Sequence, residues 1–200
     1  MKIGVLGIQG AIQEHLSILR KAGVEPSWVK DRKELDSVMA LVMPGGESTT
    51  MIKLLKRFEM WETLRDRIED GMPVLATCAG MILLSKTIEN VVNQDSLGVL
   101  DISVKRNGYG RQINSFEVDL QIDEIGPEPF RAVFIRAPKI ESICDEVRVL
   151  TSYEELPVLV RQGNVLAASF HPELTGDLRI HRYFLKMAEA AGQRIEKCAE

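Results

Sequence analysis

The chain has 200 residues, 45% hydrophobic and 27% charged, a balance that suits a globular fold of one domain, or of one domain with an added lobe. A net charge of −4 argues against nucleic acid as a main partner, and with no apolar run of about 18 residues no transmembrane helix is expected. Cys78, Cys144 and Cys198 are odd in number, widely spaced and lack a CxxC pair, which fits a reducing cytoplasm and argues against a disulfide framework or structural zinc.

The N-terminal "MKIGVLGIQG" has one Lys but no long apolar core and no cleavage-like site, so it is not read as a signal peptide. "KIGVLG" (2–7) predicts a buried strand, and "AIQEHLSILRKAG" (11–23) an amphipathic helix closed by Gly23. "EPSWVK" offers a second strand. "ALVMPGG" (40–46) reads as a strand ending in a Pro-Gly-Gly turn, after which Ser48, Thr49 and Thr50 offer N-caps for a helix through "MIKLLKRF". A further helix, "MWETLRDRIEDG", ends at Gly71, and "PVLAT" is the next strand. Strands alternating with helices imply βαβ units, a parallel sheet and right-handed crossovers.

After residue 98 the pattern turns strand-rich. "LDISVKRN", "NSFEVDLQI", "FRAVFIRAP", "VRVLTSY", "LPVLVRQG" and "VLAASFHPE" predict antiparallel or mixed strands added to the same sheet. A final helix over 178–192 closes a unit spanning 1–192, and residues 193–200 read as a frayed C-terminal tail.

The chemistry begins at "PVLATCAGMILLSK" (73–86), where Cys78 stands at a strand-to-helix junction. Such a turn aims its central side chain out of the sheet's carboxyl end and places it at a helix N-terminus, where negative charge is favoured. Ala79 and Gly80 allow the sharp bend, as in a nucleophile elbow with Cys in place of Ser. Most free cysteines are only small buried hydrophobes, so this stretch alone leaves both readings open.

A second element is "SFHPEL" (169–174). In an extended backbone His171 and Glu173 point to one face, so the carboxylate can orient the imidazole and the imidazole can take a thiol proton. Pro172, with no N–H to donate, favours a strand end. His15 and His181 are each embedded in a helical pattern and read as structural or surface histidines.

The third is "MPGGESTT" (43–50). Attack on an amide carbonyl needs donors aimed at the developing oxyanion. The backbone N–H groups of Gly46 and of Ala79 are the candidate pair. An ordinary Gly-Gly turn before a helix is the plainer reading, and the phosphate-loop spacing GxxxxGK[ST] is absent.

Together the Cys elbow, the PGGE loop and the late HPE motif resemble the class I (triad) glutamine amidotransferase family. "GIQGA", "PGGESTT", "RNGYGRQINSFE" and "FIRAP" narrow the resemblance to its branch of glutaminase subunits of pyridoxal 5′-phosphate synthases. One departure is Ala76, which stands where class I elbows usually carry Gly. The resemblance implies an α/β, flavodoxin-like three-layer sandwich with a mostly parallel central sheet and added antiparallel strands. It implies glutamine hydrolysis by Cys78, His171 and Glu173 through a glutamyl thioester. Glutamine binding falls on Gly45, Gly46, Glu47, Arg106, Ile135 and Arg136, with the arginines as candidates for the α-carboxylate and Glu47 for the α-ammonium. Gln9 and Gly10 are expected at the same sheet edge as Cys78, as a possible activation loop.

No (βα)8 pattern follows to consume ammonia, so the resemblance implies a separate synthase barrel subunit as partner, in a large ring-based hetero-oligomer. There ammonia would join ribose 5-phosphate and glyceraldehyde 3-phosphate. No cofactor or metal is expected for amide hydrolysis by a thiolate, and no nucleic acid or membrane partner. Two rivals share part of the pattern: a Cys-elbow hydrolase or chaperone of the DJ-1/PfpI type, and a non-catalytic regulatory module.

Overall fold

The structure, a computed structural model, describes residues 1–89, 91, 94–109 and 115–198, with side chains in the last helix as far as Arg194. The first half alternates through β1 (Ile3–Leu6), α1 (Ile12–Lys21), β2 (Ser27–Val29), α2 (Arg32–Asp36), β3 (Ala40–Met43), α3 (Ser48–Arg57), α4 (Trp61–Glu69), β4 (Val74–Thr77) and α5 (Ala79–Leu84), as the sequence predicts except for the short α2, which the sequence reading does not include. The second half comprises β5 (Ser85–Glu89), β6 (Leu100–Lys105), β7 (Ser115–Leu120), β8 (Phe130–Ile135), β9 (Lys139–Ile143), β10 (Arg148–Tyr153), β11 (Leu156–Gln162), β12 (Val165–Ala168) and α6 (Arg179–Cys198). No helix among the described residues is long and apolar enough to cross a membrane.

The main sheet runs β10-β11-β12-β4-β3-β1-β2. Its five parallel strands, β2-β1-β3-β4-β12, follow the flavodoxin-like order, and β11 and β10 extend it antiparallel. β1, β3, β4 and β12 are buried on both faces, which is why each reads as a continuous apolar run rather than an alternation.

The period-two geometry of these strands divides their side chains between two cores. Leu41, Met43, Val74, Ala76, Val165 and Ala167 face the layer holding Met51 and Leu55 of α3 and Leu64 of α4. Ala40, Val42, Leu75, Leu166 and Ala168 face the opposite layer, with Leu16 and Leu19 of α1 and Ile180 and Phe184 of α6. Each fully buried Leu, Ile or Phe contributes about 1.5–3 kcal/mol, so the sheet edge that carries the candidate site rests on two full layers.

Four expectations are corrected. The later strands do not all join the main sheet: β5-β6-β9 form a separate sheet and β7-β8 a third. β6 and β8 alternate buried and less buried positions, the signature of one-sided packing, whereas β12 is buried throughout. The helix after Cys78 is short, because Ser85 already begins β5. Ser48 is the first helical residue of α3 and Glu47 holds the cap position; Thr49 donates to Glu47 Oε1 at 3.0 Å instead of capping. Finally, α6 runs past Gly192 to Cys198, so the stretch expected to fray is helical that far. A mid-helix glycine costs only about 1 kcal/mol, which the packed apolar stripe of α6 absorbs.

Candidate active site

Four neighbouring parallel strands, β1, β3, β4 and β12, deliver their following residues to one edge of the sheet. These are Gln9 and Gly10, the Gly45–Glu47 loop, Cys78, and His171 with Glu173. The sequence therefore assembles the site by a simple rule: parallel strands share a carboxyl edge.

Cys78 follows β4 directly, with φ 48° and ψ −104°. A left-handed φ at a non-glycine residue is costly and marks an elbow held by its surroundings. The hold is visible: the Cys78 N–H donates to Ala168 O at 2.8 Å, locking the elbow to the end of β12. Gly80 lets α5 press onto β3, since a methyl there would lie 2.4 Å from Met43 O. The thiol is 7% exposed, and Sγ lies 3.9 Å from the carbonyl oxygen of Ile135.

His171 leaves the end of β12, and its N–H donates to Val133 O of β8 at 2.8 Å. Glu173 lies in a 3-10 turn, Pro172–Leu174, rather than in the extended backbone that the spacing suggests. The turn still brings Glu173 Oε1 to 2.7 Å from His171 Nδ1. Burial by itself lowers the basicity of His171, but the neighbouring Cys78 and the hydrogen-bonded Glu173 outweigh it and push the pKa up to about 10. Burial raises and His15 and His171 lower the pKa of Glu173, with a net depression that keeps it ionised. An imidazole held this basic between a thiol and a carboxylate is built to accept the thiol proton.

The glycine loop after β3 is pinned from three sides. Gly45 N–H donates to Thr77 Oγ1 at 3.0 Å. Gly45 O accepts from Ala11 N–H at 3.0 Å. Glu47 N–H donates to Gln9 Oε1 at 2.7 Å. The N–H groups of Gly46 and Ala79 form no hydrogen bond among the described residues, and both residues line a cleft of about 260 Å³ that also holds Cys78 and His171. Every residue singled out for glutamine binding, Gly45, Gly46, Glu47, Arg106, Ile135 and Arg136, lines this cleft, as does Gly10. Gln9 and Glu173 do not; they bond to Glu47 and His171, which do.

Two of the charged residues on the rim, Arg106 and Glu47, are paired with each other. Arg106 Nη2 donates to Glu47 Oε1 at 3.0 Å, and its Nη1 to Gln94 Oε1 at 2.7 Å. Arg136 follows β8 with φ 44° and forms no ion pair among the described residues. The 110–114 part of the "RNGYGRQINSFE" motif lies outside the described residues. Among the described residues no group of three His, Cys, Asp or Glu side chains could hold a metal ion.

Sequence reading did not single out Thr77 or Gln94, whose partners Gly45 and His15, and Ser48 and Arg106, come from other segments. His15 and His181 are fully buried, and His15 Nε2 lies 3.4 Å from the free oxygen of Glu173. A signal was present: Ile12, His15, Leu16 and Leu19 recur at helical spacing, so His15 falls on the apolar face of α1.

A family model described as the SNO glutamine amidotransferase family matches residues 5–190. A pyridoxal 5′-phosphate synthase subunit PdxT from Kosmotoga olearia is 64% identical over 186 residues, 93% of this chain and 97% of that protein. The subunit PdxT from Thermotoga petrophila is 58% identical over 189 residues, 94% of this chain and 100% of that protein. A crystal structure of a glutamine amidotransferase superposes with a TM-score of 0.89 at 47% identity, covering 94% of this chain and 98% of that one. With the cysteine elbow, the buried His–Glu pair and the glycine loop on one sheet edge, the chain belongs to the SNO glutamine amidotransferase family.

Proposed function

We propose that the chain hydrolyses L-glutamine to L-glutamate and ammonia through a thioester on Cys78, supplying ammonia to a synthase subunit that makes pyridoxal 5′-phosphate. The observation that carries this reading is the juxtaposition of Cys78, His171 and the Gly46 and Ala79 N–H groups, which have no partner among the described residues, around one small cleft, with Glu173 bonded to His171. Its setting is a chain 64% identical to a PdxT subunit.

In this reading His171 takes the Cys78 proton, and Sγ attacks the side-chain carbonyl carbon of glutamine. The oxyanion is met by the N–H groups of Gly46 and Ala79. The C–N bond breaks as His171 returns its proton to the leaving ammonia. Water then attacks the thioester, giving a proton to His171, and glutamate leaves as the proton returns to Sγ. Glu173 stabilises the imidazolium throughout. Arg136, or Arg106 released from Glu47, meets the substrate α-carboxylate, and Glu47 meets the α-ammonium. Such an exchange of partners lets a charged rim stay satisfied before substrate arrives.

The partner is a (βα)8-barrel synthase subunit in a ring-based assembly, and the setting is the cytoplasm, in keeping with the unpaired thiols of Cys78 and Cys144. The test is glutamate release from glutamine with the synthase subunit present, for the native chain and for Cys78→Ala. Release that vanishes in the variant, together with labelling of Cys78 but not Cys144 by a glutamine-mimicking diazo-ketone, supports the reading. Equal release by both proteins rejects it.

A further inference from the structure

The triad leaves one carboxylate oxygen unaccounted for. Oε2 of Glu173 is buried and has no aligned hydrogen-bond donor. His15 Nε2 lies 3.4 Å from it, close enough for electrostatic contact. His15 Nε2 also lies 3.3 Å from Thr77 Oγ1, and its Nδ1 lies 3.2 Å from Nε2 of His181. Both histidines have no exposed surface.

Two tautomers of His15 are possible, and the cost of burial separates them. With the proton on Nε2, the N–H lies 3.3 Å from Thr77 Oγ1 and 3.4 Å from Oε2, which puts positive hydrogen charge beside the carboxylate, and the bare Nδ1 accepts from His181 Nε2–H. The atom then left without a partner is Nδ1 of His181, a neutral acceptor. With the proton on Nδ1, a lone pair instead lies 3.4 Å from the ionised Oε2, and the two repel in a buried, weakly screened site. Stranding an ionised acceptor costs more than stranding a neutral one. Both rings stay uncharged, because burial outweighs the raising effect of Glu173: it lowers the pKa of His15, and that of His181 to about 3.

We infer that His15 is a positioning residue for the triad: its Nε2–H, set in that tautomer by His181, steadies Oε2 of Glu173 so that Oε1 stays on His171. The inference rests on the thioester reading above. It also explains why α1 matters twice. The segment before it grips the glycine loop through Gln9 and Ala11, while its second turn reaches the triad acid through His15. Thr77 joins the two, since the same hydroxyl lies beside His15 and accepts the Gly45 N–H. The ionisable groups acting on His15 are Glu173, His171, His181 and, from its own helix, Glu14.

The test compares His15→Leu, which removes the donor, with His15→Gln, whose amide nitrogen can take the place of Nε2. Each is assayed for glutamine hydrolysis in the complex with the synthase subunit, and for the pH dependence of Cys78 alkylation by iodoacetamide, read at that residue by mass spectrometry. His15→Leu is expected to lower kcat about 10- to 100-fold, the usual cost of losing an outer partner of a working side chain. Its KM for glutamine should be unchanged, its alkylation profile should move to higher pH as His171 loses basicity, and His15→Gln should recover most of the loss. Equal losses in the two variants, or an unmoved alkylation profile in His15→Leu, overturn the inference. Alkylation needs no glutamine turnover, so it reads the triad even if the proposed reaction fails. Should His15→Leu not fold, His181→Leu decides: unchanged kcat and alkylation profile there overturn the inference equally.

Discussion

Gly45 fills the gap between His171 and Cys78: a methyl on its α-carbon would lie 2.3 Å from His171 Cε1 and 3.2 Å from Cys78 Cβ. The first distance is shorter than real contacts allow, so the imidazole would have to move. The glycine is thus required by the closeness of the nucleophile–base pair, not by a turn.

Gly45→Ala is therefore expected to abolish most glutamine hydrolysis while the chain still folds. Displacing reacting groups by about 1 Å costs on the order of 100-fold in rate. Steady-state kinetics with thermal melting checks this. Near-native kcat in a folded Gly45→Ala protein would show that His171 has room to yield.

His171→Asn should cost more than Glu173→Gln. In this reading the histidine moves the protons and the acid orients it through the 2.7 Å contact. In a serine protease triad, loss of the base exceeds loss of the acid by roughly 10- to 100-fold. Glutamate release by the two folded variants makes the comparison. Equal losses would assign Glu173 a more direct part.

The isolated chain is expected to be a weak glutaminase that docking activates. Gln9 Oε1 holds the Glu47 N–H at 2.7 Å, so the segment after β1 steers the loop that carries Gly46. Gln13 and Glu14 of α1 are exposed and available to a partner. A misaligned oxyanion donor costs about 100- to 1000-fold. Turnover is compared with and without the synthase subunit at saturating glutamine. A large rise, lost in Gln9→Ala though the complex still forms, is the expected result; equal turnover in the two conditions rejects the coupling.

Stability should fall as the solution is acidified below pH 6.5. His181 is shifted from 6.5 down to about 3, and His15 is lowered too, so both bind protons in the unfolded chain that the fold refuses. Their contribution is complete above pH 6.5 and is lost progressively below it, at about 1.4 kcal/mol per pH unit for each ring. Glu173, depressed from 4.5, adds its own loss only at lower pH. His171 behaves oppositely: raised to about 10, it stabilises fully below 6.5 and its contribution fades as pH rises towards 10. Urea midpoints measured from pH 7 to 5 should show the acid loss, and His181→Leu should reduce it. A flat profile in the native chain would mean that these rings are not held neutral.

The shared placement of the candidate residues was largely legible in the sequence. Cys78, His171 and the Gly45–Gly46 pair stand where strands end, and apolar runs with turn residues announce strand ends locally. The parallel order then follows from alternation with helices, and parallel strands bring their ends to one edge. What the sequence determined by itself was therefore the set of groups and their common edge. Partition of the later strands into three sheets was not readable, because an alternating strand states that one face is buried but not against what. Nor was the cap of α3, where Thr49 reaches Glu47 instead of the helix end. The deepest omission was His15, which helical spacing places on an apolar face without naming what lies opposite. Only the tertiary structure decided that the opposite groups are Glu173, Thr77 and His181, because burial partners are set by how α1, β4 and α6 pack together, and that is a property of distances between segments, which periodicity along one segment does not contain.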